Sequence, residues 1–394
     1  MGTNSLTTFI NPELPVELYR EIFSLVFKME VEDFEDLHRL HVYVRTPLIL
    51  GSVCQRWRNM VLDMPLLWTF IYCKPSCPEA KTRHGGEGIP LFPELTKAQS
   101  MFLERSADMP LRICILVTKK PEVVPQAHTR PLDLFPARRI RQITIRIHDL
   151  NEAFISRGTL FFHLLREVDN LVSRLLRLPA LKFIDVAGNT FRRSTRAIFH
   201  RQLSRPADRP KLLELAIHGE EKDVWLESLK GSTRELTKLT LSKLDLPFSR
   251  PTRSLFRTAG PSLTHLELAN LSWAKTEWER VFQWLENLKW LKIEQTRSLY
   301  EQTTIISSDL GQAGLLQRAL LDILPNCPTL FRCLQGIELL TNVPLSSQSL
   351  LGFTRARLQC EEAAKEPFRV VVSQHAFTHY AIASLREVAL VEIT

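Results

Sequence analysis

The sequence predicts an α/β repeat fold: a small all-α module at the N-terminal end, then an irregular solenoid of strand-and-helix units. Two observations predict it. Up to residue 71 the apolar residues fall at helical spacing, three and four apart. From about residue 140 a different spacing keeps returning: apolar, two residues, apolar, one residue, apolar. The expected organisation is a helical module over 10–71, a linker and lead-in segment with a flexible loop over 72–139, and a target-binding repeat region over 140–394.

Composition narrows the function class. In 394 residues the apolar fraction is 44% and charged residues, 24%, are mixed along the chain, as in a folded protein with sizeable cores. Only 14 residues are Gly, which argues against phosphate-cradling loops and tight hairpins. The formal charge of +8 is a mild excess that favours anionic partners without fixing their class. The 7 cysteines (Cys54, Cys73, Cys77, Cys114, Cys327, Cys333, Cys360) are an odd set. They read as reduced thiols of a cytoplasmic and/or nuclear protein. No secretory leader and no apolar run of roughly 18 residues is visible, so no membrane association is expected.

In the first module, Leu18, Ile22, Phe23, Leu25 and Val26 mark an amphipathic helix over 12–27, with Pro15 and Glu17 at its start. Residues 28–46, acidic and then basic, read as a loop or a weaker helix. Leu50, Val53, Cys54, Trp57 and Val61 form the apolar stripe of a second helix that stops before Pro65. Leu66, Leu67, Trp68 and Ile71 lead into an extended segment.

The order Leu14-Pro15-x-Glu17-Leu18, then Ile22-Phe23, then Val53-Cys54-x-x-Trp57 resembles the F-box. Pro65-Leu66-Leu67-Trp68, Phe102-Leu103-Glu104-Arg105-Ser106 and Pro110-Leu111 look like a pattern common in F-box proteins of mushroom-forming fungi. The resemblance covers about 60 residues firmly and about 110 loosely, and the stretch between the two helices is longer than in compact F-boxes. It implies binding to the Skp-family adaptor of a cullin-RING ubiquitin ligase, with Leu14, Pro15, Leu18, Ile22, Val53 and Trp57 as the contacting residues. So small a module is not expected to bury all its apolar surface, and a leftover patch marks a partner site.

In the repeat region the copies are Ile140-Ile143-Ile145, Leu181-Ile184-Val186, Leu212-Leu215-Ile217, Leu236-Leu239-Leu241, Leu263-Leu266-Leu268, Leu288-Leu291-Ile293, Leu334-Ile337-Leu339 and a last, weaker Leu385-Val388-Leu390. Leu215, Leu239, Leu266 and Leu291 stand 24, 27 and 25 residues apart. That lies inside the roughly 20–29-residue window of leucine-rich repeats. Helical stretches over 160–178, 277–288 and 315–324 separate several copies. Such units stack into a solenoid; a doubly wound sheet would not need the repeated spacing. Strand alternation sends Arg146, Phe183, Asp185, His218, Lys238, His265, Glu267, Trp290, Lys292, Glu294 and Glu338 to the other, concave face. Their mixture of size and charge suits recognition of a protein target, with Trp290 as the anchor.

The expected function is therefore that of a substrate-recognition subunit of an SCF-type ubiquitin ligase, performing no chemistry itself and needing no cofactor. Two alternatives stand behind it. One is a repeat scaffold outside any ligase. The other is a nucleic-acid-associated protein using the Arg138–Arg141 and Arg192–Arg209 clusters, which carry too few interleaved aromatics to make it the first reading. Cys73-x3-Cys77, Cys327-x5-Cys333 and the pair His375 and His379 lack the partners of a structural zinc or zincin site. Gly85-Gly86-Glu87-Gly88 lacks the Lys-Ser/Thr ending of a P-loop and reads as a loop.

Overall fold

The structure, a computed structural model, describes residues 14–33, 46–73, 97–117, 135–147, 175, 178–188, 211–218, 225–226, 229, 231–244, 249–271, 275–295, 323, 333–341, 347–359, 367–373 and 376–394. It is α/β in class and divides into two compact units: Met1–Val117 with Glu122–Arg146, and Ile147–Thr394 with Thr118–Pro121. All but residues 175, 178 and 323 of the predicted helices at 160–178 and 315–324, the loop at 85–88 and the Arg192–Arg209 cluster lie outside the described residues.

In the first unit, α1 (Val16–Asp33) starts behind Pro15, whose carbonyl accepts from the Leu18 amide. It buries Tyr19, Phe23, Phe27 and Val31, residues spaced one helical turn apart. The single second helix expected from sequence is two: α2 (Thr46–Val53) and α3 (Gln55–Leu62). Cys54 breaks them apart. Its backbone is extended (φ −158°, ψ 168°), and its thiol caps α3 by accepting from the Trp57 amide. The Glu30 carboxylate accepts from both the amide and the hydroxyl of Thr46, tying the end of α1 to the start of α2.

A 3-10 turn over Pro65–Trp68 leads into β1 (Phe70–Cys73), the extended segment expected there. The segment expected to be a linker contains instead α4 (Lys97–Arg105) and β2 (Leu111–Val117). β1, β2 and β3 (Ile140–Ile147) lie side by side in chain order, β1 and β2 parallel. These strands thus group with the helical module, and the compact unit extends well beyond residue 71. β2 buries Leu111, Ile113, Cys114 and Ile115.

The second unit holds β4 (Phe183–Gly188), β5 (Glu214–His218), β6 (Lys238–Leu244), β7 (His265–Leu271), β8 (Trp290–Gln295), β9 (Gly336–Thr341), β10 (Arg369–Val372) and β11 (Leu390–Ile393). Each pairs parallel with the next, in chain order. Parallel neighbours require crossovers. Those described include α5 (Arg250–Ala259), α6 (Lys275–Phe282), α7 (Ser347–Leu358) and α8 (His379–Arg386).

The register places equivalent repeat residues opposite one another. Ile184, Leu215, Leu239, Leu266, Leu291, Ile337 and Val370 form one row; Val186, Ile217, Leu241, Leu268, Ile293, Leu339 and Val372 form the next. All are buried. Behind the rows, α6 buries Trp278, Val281 and Phe282, with the two rings stacked at 5.7 Å. Just before each strand one amide repeats a bond to the preceding unit: Thr237 to Leu213 O (2.8 Å), Thr264 to Thr237 O (2.9 Å), Lys289 to Thr264 O (2.8 Å). A Cβ at Gly260 would meet the Trp284 carbonyl oxygen at 2.5 Å, so glycine permits that approach of α5 to the chain after α6.

The last predicted copy is a correction. Leu385 belongs to α8, Val388 to a turn, and Leu390 opens β11 on its exposed face. Repetition near the end is instead carried by Val370 and Val372 of β10, preceded by Pro367 where other copies carry leucine.

Candidate functional site

Two surfaces collect the candidate residues, one in each unit. In the first, Phe23 packs its ring edge-on to Trp57 at 4.8 Å, and Tyr19 does so at 6.0 Å. These contacts consume the aromatic face of α1. The aliphatic residues of α1 lie outside these contacts: Leu18, Ile22, Leu25, Val26 and Met29 are exposed, Met29 at 62%. α2 adds exposed Leu48, Ile49 and Val53, and Leu62 and Leu66 follow. α1 is therefore apolar on two faces, and one of them is open.

Of the residues expected to touch the adaptor, Pro15, Leu18, Ile22 and Val53 are exposed and Leu14 is half-buried. Trp57 sits differently. It is half-buried against Tyr19 and Phe23, with its Nε1 out of solvent contact, so its main role is inside the module.

The two segments of the second motif meet. Trp68 donates from Nε1 to Val61 O (3.0 Å), its ring lies edge-on to Phe102 at 5.1 Å, and the Arg105 guanidinium lies over it at 5.3 Å. Ser106 is buried and takes a hydrogen bond from Arg139 Nη2 at 2.6 Å, while Arg139 Nε donates to Met109 O at 3.1 Å. These residues brace the module. Arg139, read from sequence as part of a basic cluster, is thereby a structural residue. Beside them Cys73 is a buried free thiol that burial, and then nearby Cys114, push up to about 12. It stays protonated at neutral pH.

In the second unit, the face of the β4–β11 sheet opposite the aliphatic rows carries a polar lattice. Lys238 Nζ reaches Glu267 at 2.8 Å, Thr240 donates to the same carboxylate at 3.1 Å, and Lys292 Nζ lies 3.4 Å from Glu338. Burial alone would raise the Glu267 carboxyl, but the hydrogen bond and charge of Lys238, with Thr240 and Lys292, outweigh it and hold the group below the usual glutamate value. Across β4, β5 and β6, His218 Nε2 stands 3.6 Å from Asp185 and its Nδ1 2.6 Å from Ser242 Oγ.

Trp290 is half-buried, and its indole lies across the sheet. A Cβ at Gly336 would sit 2.0 Å from its ring, and the Arg369 guanidinium lies over the ring at 5.6 Å. Arg369 also pairs with Glu392 of β11. The indole is thus held in place by its own sheet.

Among the expected target-binding residues, His218, Lys238, His265, Glu267, Trp290, Lys292, Glu294 and Glu338 reach this surface, and Phe183 is half-buried on it. Two depart from expectation. Arg146 is 3% exposed and belongs to the first unit, and Asp185 is 3% exposed beside His218. Glu214, Thr240, Ser242, Arg369 and Glu392 share the face and were not singled out from sequence. Strand alternation alone would have found the first three once the registers were known.

Among the described residues, no cluster of three or more His, Cys, Asp or Glu could hold a metal ion, and no helix is long and apolar enough to cross a membrane. Set against known protein families and against curated proteins, the chain matches none.

Proposed function

We propose that the protein is a substrate-recognition subunit of an SCF-type cullin-RING ubiquitin ligase, gripping the Skp-family adaptor with its N-terminal helices and a target protein with its repeat region. One observation supports the first half above others: the second apolar face of α1, with Leu18, Ile22, Leu25, Val26 and Met29 in solvent. Open aliphatic side chains in such number, on α1 and α2 together, are the mark of a partner interface. The motif residues Pro15, Leu18, Ile22 and Val53 lie among them.

The second half is supported by the parallel strands in chain order, with aliphatic rows on one face and a polar lattice on the other. That arrangement suits a leucine-repeat solenoid whose outer strand face is free to hold a target. The contribution to ubiquitin transfer is then proximity: a held target meets the charged enzyme at raised effective concentration.

The test is capture of the purified adaptor by the full chain and by a Leu18→Glu/Ile22→Glu variant. Both positions are exposed, so the variant keeps its fold, checked by far-UV circular dichroism. Capture by the wild type and its loss in the variant is the expected result. Equal capture by both, or capture by neither, removes the adaptor role.

A further inference from the structure

We infer that the outer face of α5 docks an acidic segment, a run of Asp or Glu, of a partner protein. Neither the apolar face of α1 nor the polar strand face takes part. α5 turns Thr252, Leu255, Phe256 and Ala259 into the core. What it leaves outside is basic: Arg250, Arg253 and Arg257, three and four residues apart, share one helix face and are all exposed. No acidic residue occurs in α5, and α6 adds Lys275 and Arg280 against Glu277 and Glu279. The two helices therefore hold five cations to two carboxylates.

The cations of the strand face are bonded within the sheet: Lys238 to Glu267, Lys292 to Glu338, Arg369 to Glu392. Those of the helices differ. Arg250, Arg257 and the exposed Arg280 make no ion pair and no side-chain hydrogen bond among the described residues. Gly260 closes α5 against Trp284, and Arg280 lies one turn before Trp284 on α6, so a further guanidinium comes from the helix packed beside it. Unanswered charge of one sign on adjoining helices attracts and steers an oppositely charged partner.

The chemistry of the face selects the partner. A guanidinium fork takes a carboxylate through two parallel N–H···O bonds. Neither helix exposes a large apolar side chain. The face therefore has nothing to enter a bilayer and no ring on which a base could stack. An acidic segment of a protein needs neither.

The experiment is fluorescence anisotropy of the full chain with a labelled peptide of about 12 residues alternating Glu and Gly, beside a labelled DNA duplex of about 12 base pairs. The peptide should bind, more weakly as salt is added. An Arg250→Gln/Arg257→Gln variant should lose at least about tenfold in peptide affinity, and Arg250→Glu/Arg257→Glu should lose more. Both positions are exposed, and far-UV circular dichroism checks the fold, with the milder variant guarding against misfolding of the other. Unchanged peptide affinity in both variants, or no peptide binding at about 1 mM, overturns the inference. So does a loss confined to the duplex, which would assign the face to nucleic acid. Adaptor capture is scored through Leu18 and Ile22, so the two ideas fail independently.

Discussion

Glu267 shows how much a single side chain depends on its neighbours in the folded state. Alone in a strand it is an ordinary carboxylate; in the sheet it takes one lysine from β6, faces another on β8 and accepts a threonine hydroxyl. Its folded pKa lies below the unfolded one, so its stabilising contribution is present above the unfolded value and is lost as pH falls through the folded value. Glu267→Gln keeps the shape and removes the charge. It should destabilise the protein by about 1 kcal/mol at about pH 7. That difference should shrink steadily between about pH 5 and about pH 2, read from urea unfolding of wild type and variant across the range. A difference that grew on acidification would show that the carboxylate is not held as the geometry indicates.

At the scale of the element, α1 is the informative case. Its sequence offers apolar residues at almost every turn position, and the helical period admits two stripes, Leu18-Ile22-Leu25-Val26-Met29 and Tyr19-Phe23-Phe27-Val31. Packing chose the aromatic one, because Trp57 on α3 offers a ring to meet Tyr19 and Phe23. Two substitutions one residue apart separate the faces. Phe23→Ala should cost about 3–5 kcal/mol of stability, whereas Ile22→Ala should stay within about 0.5 kcal/mol. Denaturant midpoints compare them directly. Similar losses at both positions would mean that Ile22 is covered in the folded protein. Cys54 made the other decision that periodicity did not reveal: the stripe Leu50-Val53-Cys54-Trp57-Val61 runs unbroken in sequence, yet an extended residue inside it separates two helices and caps the second.

At the scale of the whole second unit, stability should be graded along the sheet. β6 to β9 lie between paired neighbours, and their aliphatic rows are fully buried. β11 pairs with β10 alone among the described strands, and it leaves Leu390 and Ile393 exposed. Amide hydrogen exchange should therefore release β11 first and retain β6–β8 longest. Uniform protection along all eight strands would contradict a structure in which each unit rests chiefly on its neighbours.

What the sequence by itself determined is the repetition and the side of each strand. The spacing of Leu215, Leu239, Leu266 and Leu291 picked out four of the strands that now stand in register, because a period-two strand beside a repeat-length interval leaves few ways to stack. It also carried the short helical start and the motif residues around Leu14 and Val53. The tertiary structure decided which of two apolar faces α1 keeps for itself, where Cys54 divides a helix, and that β1 to β3 belong with the N-terminal helices. It also buried Arg146 and Asp185 and brought Arg369 and Glu392 into the polar lattice. The physical reason is common to these outcomes. Periodicity states which residues share a face, but the residue that covers a face, caps a break or answers a charge comes from distant sequence, and only folding supplies it.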